Sequence, residues 1–138
     1  MKCLCPIRCR YYSHTPLPHQ LTMYRIDPER LDLVEAFKAM PFGPHAPEVK
    51  RMLNRLRYGT MRDRWVLVCI ERHRRWVLGR LTGERSTPIE LERAVEFTNL
   101  AQAEWEVFKR RWQAHTGRSL AGRVQDPTYD AALGAGRR

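Results

Sequence analysis

Long apolar runs are missing from this sequence. No stretch of about 18 apolar residues occurs, which excludes an ordinary transmembrane helix. Catalytic signatures are missing too. There is no G-x-S-x-G, no H-E-x-x-H and no Walker phosphate loop, so the sequence announces no nucleophile elbow, zincin site or P-loop. Acids are scarce, with 15 Asp and Glu against 25 Lys and Arg, and residues 1–22 hold none. Cysteine is nearly confined to the start, with Cys3, Cys5 and Cys9 there and Cys69 alone beyond. No apolar signal-peptide core precedes them, so a reduced, cytoplasmic setting is expected rather than a disulfide framework.

A chain of 138 residues suffices for one domain with its own core. Its net charge is +10. Of this, +3 lies in residues 1–22 and +2 in 118–138, so the centre is only moderately basic. A basic surface suits nucleic acid, an acidic partner chain or an anionic membrane. With His14 and His19 the head reads C-x-C-x3-C-x4-H-x4-H. Structural zinc sites use ligand pairs two to four residues apart around a folded knuckle, and this spacing fits them poorly. No metal site is expected. Residues 1–22 read instead as a tail, or as translated sequence ahead of a start at Met23. A transit peptide would be serine-rich and amphipathic, and this head is neither.

From Met23 on, the pattern predicts an α+β domain over residues 23–117. Asp27 caps a first helix with Pro28 at its first position. Leu31, Val34 and Phe37 form its stripe, with Leu33 beside them, and it ends before Pro41. Pro47 opens a second helix with Val49, Met52, Leu53 and Leu56 on one face. The period then changes to two. Residues 64–71 and 75–82 read as a hairpin turning at 72–74. Gly79 marks a bulge or a close approach. Residues 83–92 read as a loop, and 94–97 as a short third strand. Thr98 or Asn99 caps a long helix over 99–115, whose buried stripe is Ala101, Trp105, Phe108 and Trp112. Gly117 stops it. Residues 118–138 read as a frayed, basic tail.

Little in this arrangement supports catalysis. Cys69 and His73 make a nucleophile–base pair only if they face each other. In the strand reading Cys69 shares a face with Trp65 and Leu67, which predicts a buried thiol. A lone loop histidine such as His45 more often anchors backbone by a hydrogen bond. Glu104 and Glu106 stand two apart on a helix and do not face each other. Nucleic acid is the rival reading. Residues 50–85 carry eleven Lys and Arg against three acids, with Tyr58, Trp65 and Trp76 interleaved. Such a surface suits phosphates and stacked bases. No RNP, KH or zinc-finger signature accompanies it.

One stretch is distinctive: "MPFGPHAPEVKRMLNRLRYG", residues 40–59. Pro41, Phe42, Gly43, His45 and Pro47 precede a helix bearing Asn54 and Arg57. Further on come Arg64–Trp65, Trp76 to Arg80, Gly83 to Pro88, Phe97–Thr98, and Val107, Phe108, Arg110 and Arg111. In this order, over about residues 25–113, the set resembles the small (alpha) subunit of N,N-dimethylformamidase and its relatives. The resemblance implies a non-catalytic accessory subunit, so no catalytic or metal residue is assigned to this chain. It also implies a large catalytic amidase subunit as hetero-oligomeric partner, with a mononuclear iron held there largely by tyrosines. A proline-fixed loop before an arginine-bearing helix loses little entropy on docking. Arginine and aromatic residues dominate interfaces. On this reading Phe42, His45, Asn54, Arg57, Arg64, Trp76, Arg80, Arg110 and Arg111 meet the partner.

Overall fold

The computed structural model describes residues 24–129, which form three helices and one antiparallel sheet, an α+β fold. Helix α1 spans Leu31–Ala39 and α2 spans Pro47–Arg57. Strands β1 (Trp65–Glu71), β2 (Arg75–Arg80) and β3 (Glu90–Phe97) follow. The long helix α3 spans Leu100–Thr116. The cysteine-rich head with its two histidines, and the boundary expected at residue 22, lie outside the described residues.

The first helix starts later than its sequence suggests. The Asp27 carboxylate accepts from the Glu29 N–H at 2.9 Å, and the Arg30 N–H donates to Asp27 O at 3.2 Å. Asp-Pro therefore builds a turn, where proline's fixed φ is equally at home. The helix proper has Arg30 as its uncapped N-cap and buries Leu33, Val34 and Phe37. The second helix follows the prediction, with Pro47 at its start and Val49, Met52, Leu53 and Leu56 buried. Arg30 joins the two starts by bonding both Asp32 and Glu48, at 2.8 and 2.9 Å.

The sheet runs in the order β1-β2-β3. Trp65, Leu67 and Cys69 pair with Arg80, Leu78 and Trp76, so these six share one face. Val66 and Val68 pair with Gly79 and Val77 on the other. The third strand is twice as long as the pattern predicts. Leu91 and Glu92 pair with Gly79 and Leu78, but three residues intervene before Glu96 meets Val77. This bulge at 93–95 breaks the two-residue period, which is why 90–92 read as loop. Cys69 is exposed, not buried. The strand shifts register just after it, and its thiol donates to Glu71 O at 3.3 Å.

Helix α3 lies between the sheet and the other two helices and is apolar on both sides. Asn99 caps it, accepting from the Ala101 N–H at 2.9 Å, and Gly117 closes it at φ 72°. Trp105, Phe108 and Trp112 join Phe37 of α1 in a stacked aromatic row, with Phe37 and Phe108 centroids 4.4 Å apart. Ala103 and Val107 form a second buried set. Arg110 crosses to the sheet, 5.0 Å above the Trp65 ring and 3.2 Å from Glu92. The Trp65 face is thus the one α3 covers.

The frayed tail predicted from residue 118 is corrected over its described part. Leu120 and Val124 are buried in the core formed by the helices. Asp126 accepts from Trp105 Nε1 at 2.8 Å and from Lys109 Nζ at 2.9 Å. Tyr129 Oη donates to Lys38 O at 2.8 Å, and its own carbonyl accepts from Asn99 Nδ2. Residues 118–129 are a strap over α1 and α3.

Candidate functional site

The ends of α2 and α3 meet beside the start of β1. Arg55 and Arg57 leave the last turn of α2, Arg64 precedes β1, and Arg111 and His115 come from the second half of α3. A cleft of about 330 Å³ opens between these elements, lined by Tyr58, Arg62, Arg64, Trp65, Arg111 and His115, among others. A narrower recess on the other side of Arg111 is lined by Arg57 and Glu104.

The electrostatics here differ from the rest of the surface. Arg30, Arg74, Arg75, Arg80, Arg110, Arg118 and Arg123 each pair with a carboxylate of this chain. Arg55, Arg64 and Arg111 are half-buried and pair with none among the described residues. Arg64 donates to Gly59 O, and Arg111 Nε donates to Trp65 O at 3.0 Å. Burial holds the Arg111 guanidinium below its ordinary value; Glu104 opposes this, and Arg57 and Arg64 reinforce it. His115 is also held below its usual range, first by burial and then by Arg55, while a hydrogen bond with the Leu56 backbone opposes the shift. Half-buried cations without counter-ions are unfavourable in the lone chain.

Of the nine residues predicted to meet a partner, Arg57, Arg64 and Arg111 gather at this place. Asn54 is exposed on the same helix as Arg57, three residues earlier and on the same side. Phe42 and His45 sit in the loop before α2. His45 packs its ring 5.9 Å from that of Phe37, so the expected backbone hydrogen bond is replaced by an aromatic contact. Arg80 and Arg110 are engaged within the domain, with Glu90 and Glu92. Trp76 is 8% exposed and packs the α3-facing side of the sheet, so its indole belongs to the domain's own packing. Sequence reasoning missed Arg55 and His115. Arg55 is one of several basic residues on α2, and His115 near the end of α3 suits the helix dipole without any further role. Their spacing along the chain carries no sign that the two helix ends converge.

The opposite face of the sheet is a second feature. Val66, Val68, Val77, Gly79 and Leu91 share it by register, and Ile89 joins them. A Cβ built on Gly79 would meet Ile89 Cγ2 at 2.8 Å and Val68 Cγ2 at 2.9 Å. Gly79 thus marks a close approach, one of the two readings of its position. Ile70 and Ile89 remain 37% and 41% exposed.

Neither place supplies a catalytic set. Cys69 and His73 have separate partners, Glu71 O and the Arg72 guanidinium. Glu106 pairs with Lys109. Among the described residues no group of three or more His, Cys, Asp or Glu could hold a metal. The described tyrosines contact different elements: Tyr24 lies by Arg51, Tyr58 ends α2 and Tyr129 bonds Lys38. This donor set does not fit a bound iron. Among the described residues no helix is long and apolar enough to cross a membrane.

The family model of the N,N-dimethylformamidase alpha subunit matches residues 23–122. The chain belongs to that family. The match covers both helices, the sheet, α3 and the first part of the strap. An N,N-dimethylformamidase alpha subunit is one chain of a hetero-oligomer, so surfaces left open here are expected to have a partner. Among curated proteins and among solved structures there is no match.

Proposed function

We propose that this alpha-subunit chain is a non-catalytic accessory subunit of an amide-hydrolysing complex of the N,N-dimethylformamidase type. It docks on a large catalytic subunit and stabilises it. The iron chemistry that the resemblance implies belongs, in this reading, to that larger chain. The observation that carries the proposal is the outer face of the sheet. Apolar side chains from all three strands lie there, on the side away from α3. Its exposed part is Ile70 and Ile89, beside half-buried Val66, Val68 and Leu91 and over a fully buried Val77, and exposed apolar side chains grouped in this way mark an interaction site. Surrounding charges such as the Glu71–Arg75–Glu96 bridge, 3.0 and 3.2 Å, supply the polar rim usual at interfaces.

The test is co-purification of the tagged full chain from its native cells, with identification of the companion. The variant Ile70→Glu/Ile89→Glu changes two side chains that are already partly in water. It should melt close to the parent and lose the companion. If the variant keeps the companion, or if the parent brings down no amidase-like chain, the proposal fails.

A further inference from the structure

The arginine cleft is distinct from the apolar sheet face and points to a specific chemistry. Arg55, Arg64 and Arg111 come from three separate segments and converge on His115. Each is half-buried, and none forms an ion pair among the described residues: Glu104 acts on Arg111 without bridging it, and Asp63, the carboxylate lining the cleft, faces Arg80 at 3.8 Å. Helix-end electrostatics account for Arg55, which stands in the last turn of α2. They do not account for Arg64, which precedes a strand, or for Arg111, five residues before the end of α3. Arg111 spends only its Nε on the chain, at the carbonyl of Trp65. The two terminal nitrogens of its guanidinium have no partner among the described residues. Such a fork matches the two oxygens of a carboxylate. The cleft's 330 Å³ is enough for an acidic side chain or a chain terminus, and too small for a helix.

We propose that the cleft between α2, α3 and the start of β1 receives a carboxylate of the partner subunit, gripped by Arg111 and Arg64 beside His115. This rests on the subunit reading for the source of the carboxylate. The grip itself is a property of the lone chain. Tyr58 and Trp65 form apolar walls, and Arg55 stands on the far side of His115, in the neighbouring recess.

The experiment titrates the full chain with a hexaglutamate peptide by calorimetry. Separate runs use inorganic phosphate, sodium acetate and a twelve-residue oligothymidylate, all at one ionic strength. Hexaglutamate should bind saturably. Arg111→Gln should weaken it at least about tenfold, as expected for losing a charge-assisted bidentate contact. Arg93→Gln, in the exposed β3 bulge, should leave it unchanged. A thermal melt establishes that Arg111→Gln is folded; if it is not, Arg64→Gln takes its place in the same comparison. Equal weakening by Arg93→Gln means diffuse charge attraction and overturns the proposal. So does tighter binding of phosphate or oligothymidylate that Arg111→Gln abolishes, since the cleft is then a phosphate site. Acetate competing with hexaglutamate supports the carboxylate grip. Acetate binding while hexaglutamate does not bind assigns the cleft to a free small acid and overturns the partner source. The subunit reading is decided by co-purification, so the two can fail separately.

Discussion

Leu120→Ala separates a packed strap from a frayed tail. Leu120 is 2% exposed and sits in one core with Phe37, Trp105, Phe108 and Trp112. Removing a buried leucine's outer carbons costs about 2–5 kcal/mol, from lost burial and the cavity left behind. For a domain near one hundred residues each kcal/mol lowers Tm by about 4–8 °C. A drop of at least about 8 °C is therefore expected in thermal melting followed by circular dichroism. An exposed leucine would change stability by no more than about 0.5 kcal/mol. The neighbouring contact gives an internal control. Asp126→Ala leaves the indole N–H of the buried Trp105 without its acceptor, at about 1–3 kcal/mol. Asp126→Asn keeps an oxygen there and should recover much of that loss. If Leu120→Ala shifts Tm by less than about 3 °C, residues 118–129 do not pack as described and the reasoning fails.

Arg57 is exposed and makes no ion pair within the described chain. Arg57→Ala should change the lone chain's stability by under about 0.5 kcal/mol, yet cost about 2–5 kcal/mol of association if its partner contact is desolvated; unfolding with unchanged affinity would assign Arg57 to the scaffold. His115 faces Arg55 and Arg25 across one recess, and Tyr58, Arg62, Asp63, Arg64 and Arg111 across the other. Desolvation and then Arg55 hold it below its ordinary 6.5, so as pH falls through that value the unfolded chain takes up the proton before the folded chain does. Stability should fall as pH drops through and below 6.5, and His115→Gln should flatten that slope in urea titrations at pH 7.5 and 5.5.

The helices and the hairpin were legible because their signals are local. Pro47, the Val49–Leu56 stripe, Asn99 and Gly117 act within one or two turns of themselves. Three features were not legible, and each depends on something distant. The length of β3 is hidden by a bulge whose geometry is set by pairing with β2. The exposure of Cys69 follows from a register shift that alternation alone does not reveal. The strap looked frayed because it has no period. It is held instead by single contacts: Asp126 to a helix indole, and Tyr129 to a carbonyl 91 residues earlier in the chain. The candidate site was half legible. Arg57, Arg64 and Arg111 stood out within the ordered resemblance, whereas Arg55 and His115 acquire meaning only when two helix ends come together.

The two open surfaces lie on opposite sides of the sheet. The apolar side chains stand on the face away from α3, and the arginine cleft sits on the side of α3. Strand β1 is the edge between them, since the order is β1-β2-β3 and the cleft begins at Trp65. A single partner covering both must pass across β1, whose outward backbone groups are open to pairing as on any edge strand. Arg111 already occupies one of these carbonyls, that of Trp65, which leaves the stretch from Val66 to Ile70 as the place to cross. Hydrogen exchange distinguishes the arrangements. A partner that wraps the edge should protect the outward-facing amides of β1 on complex formation, together with those lining the cleft. A partner confined to the apolar face should leave them exchanging at the rate seen in the lone chain. In that case Arg111 and Arg64 must be met by a different part of the complex, or by another chain.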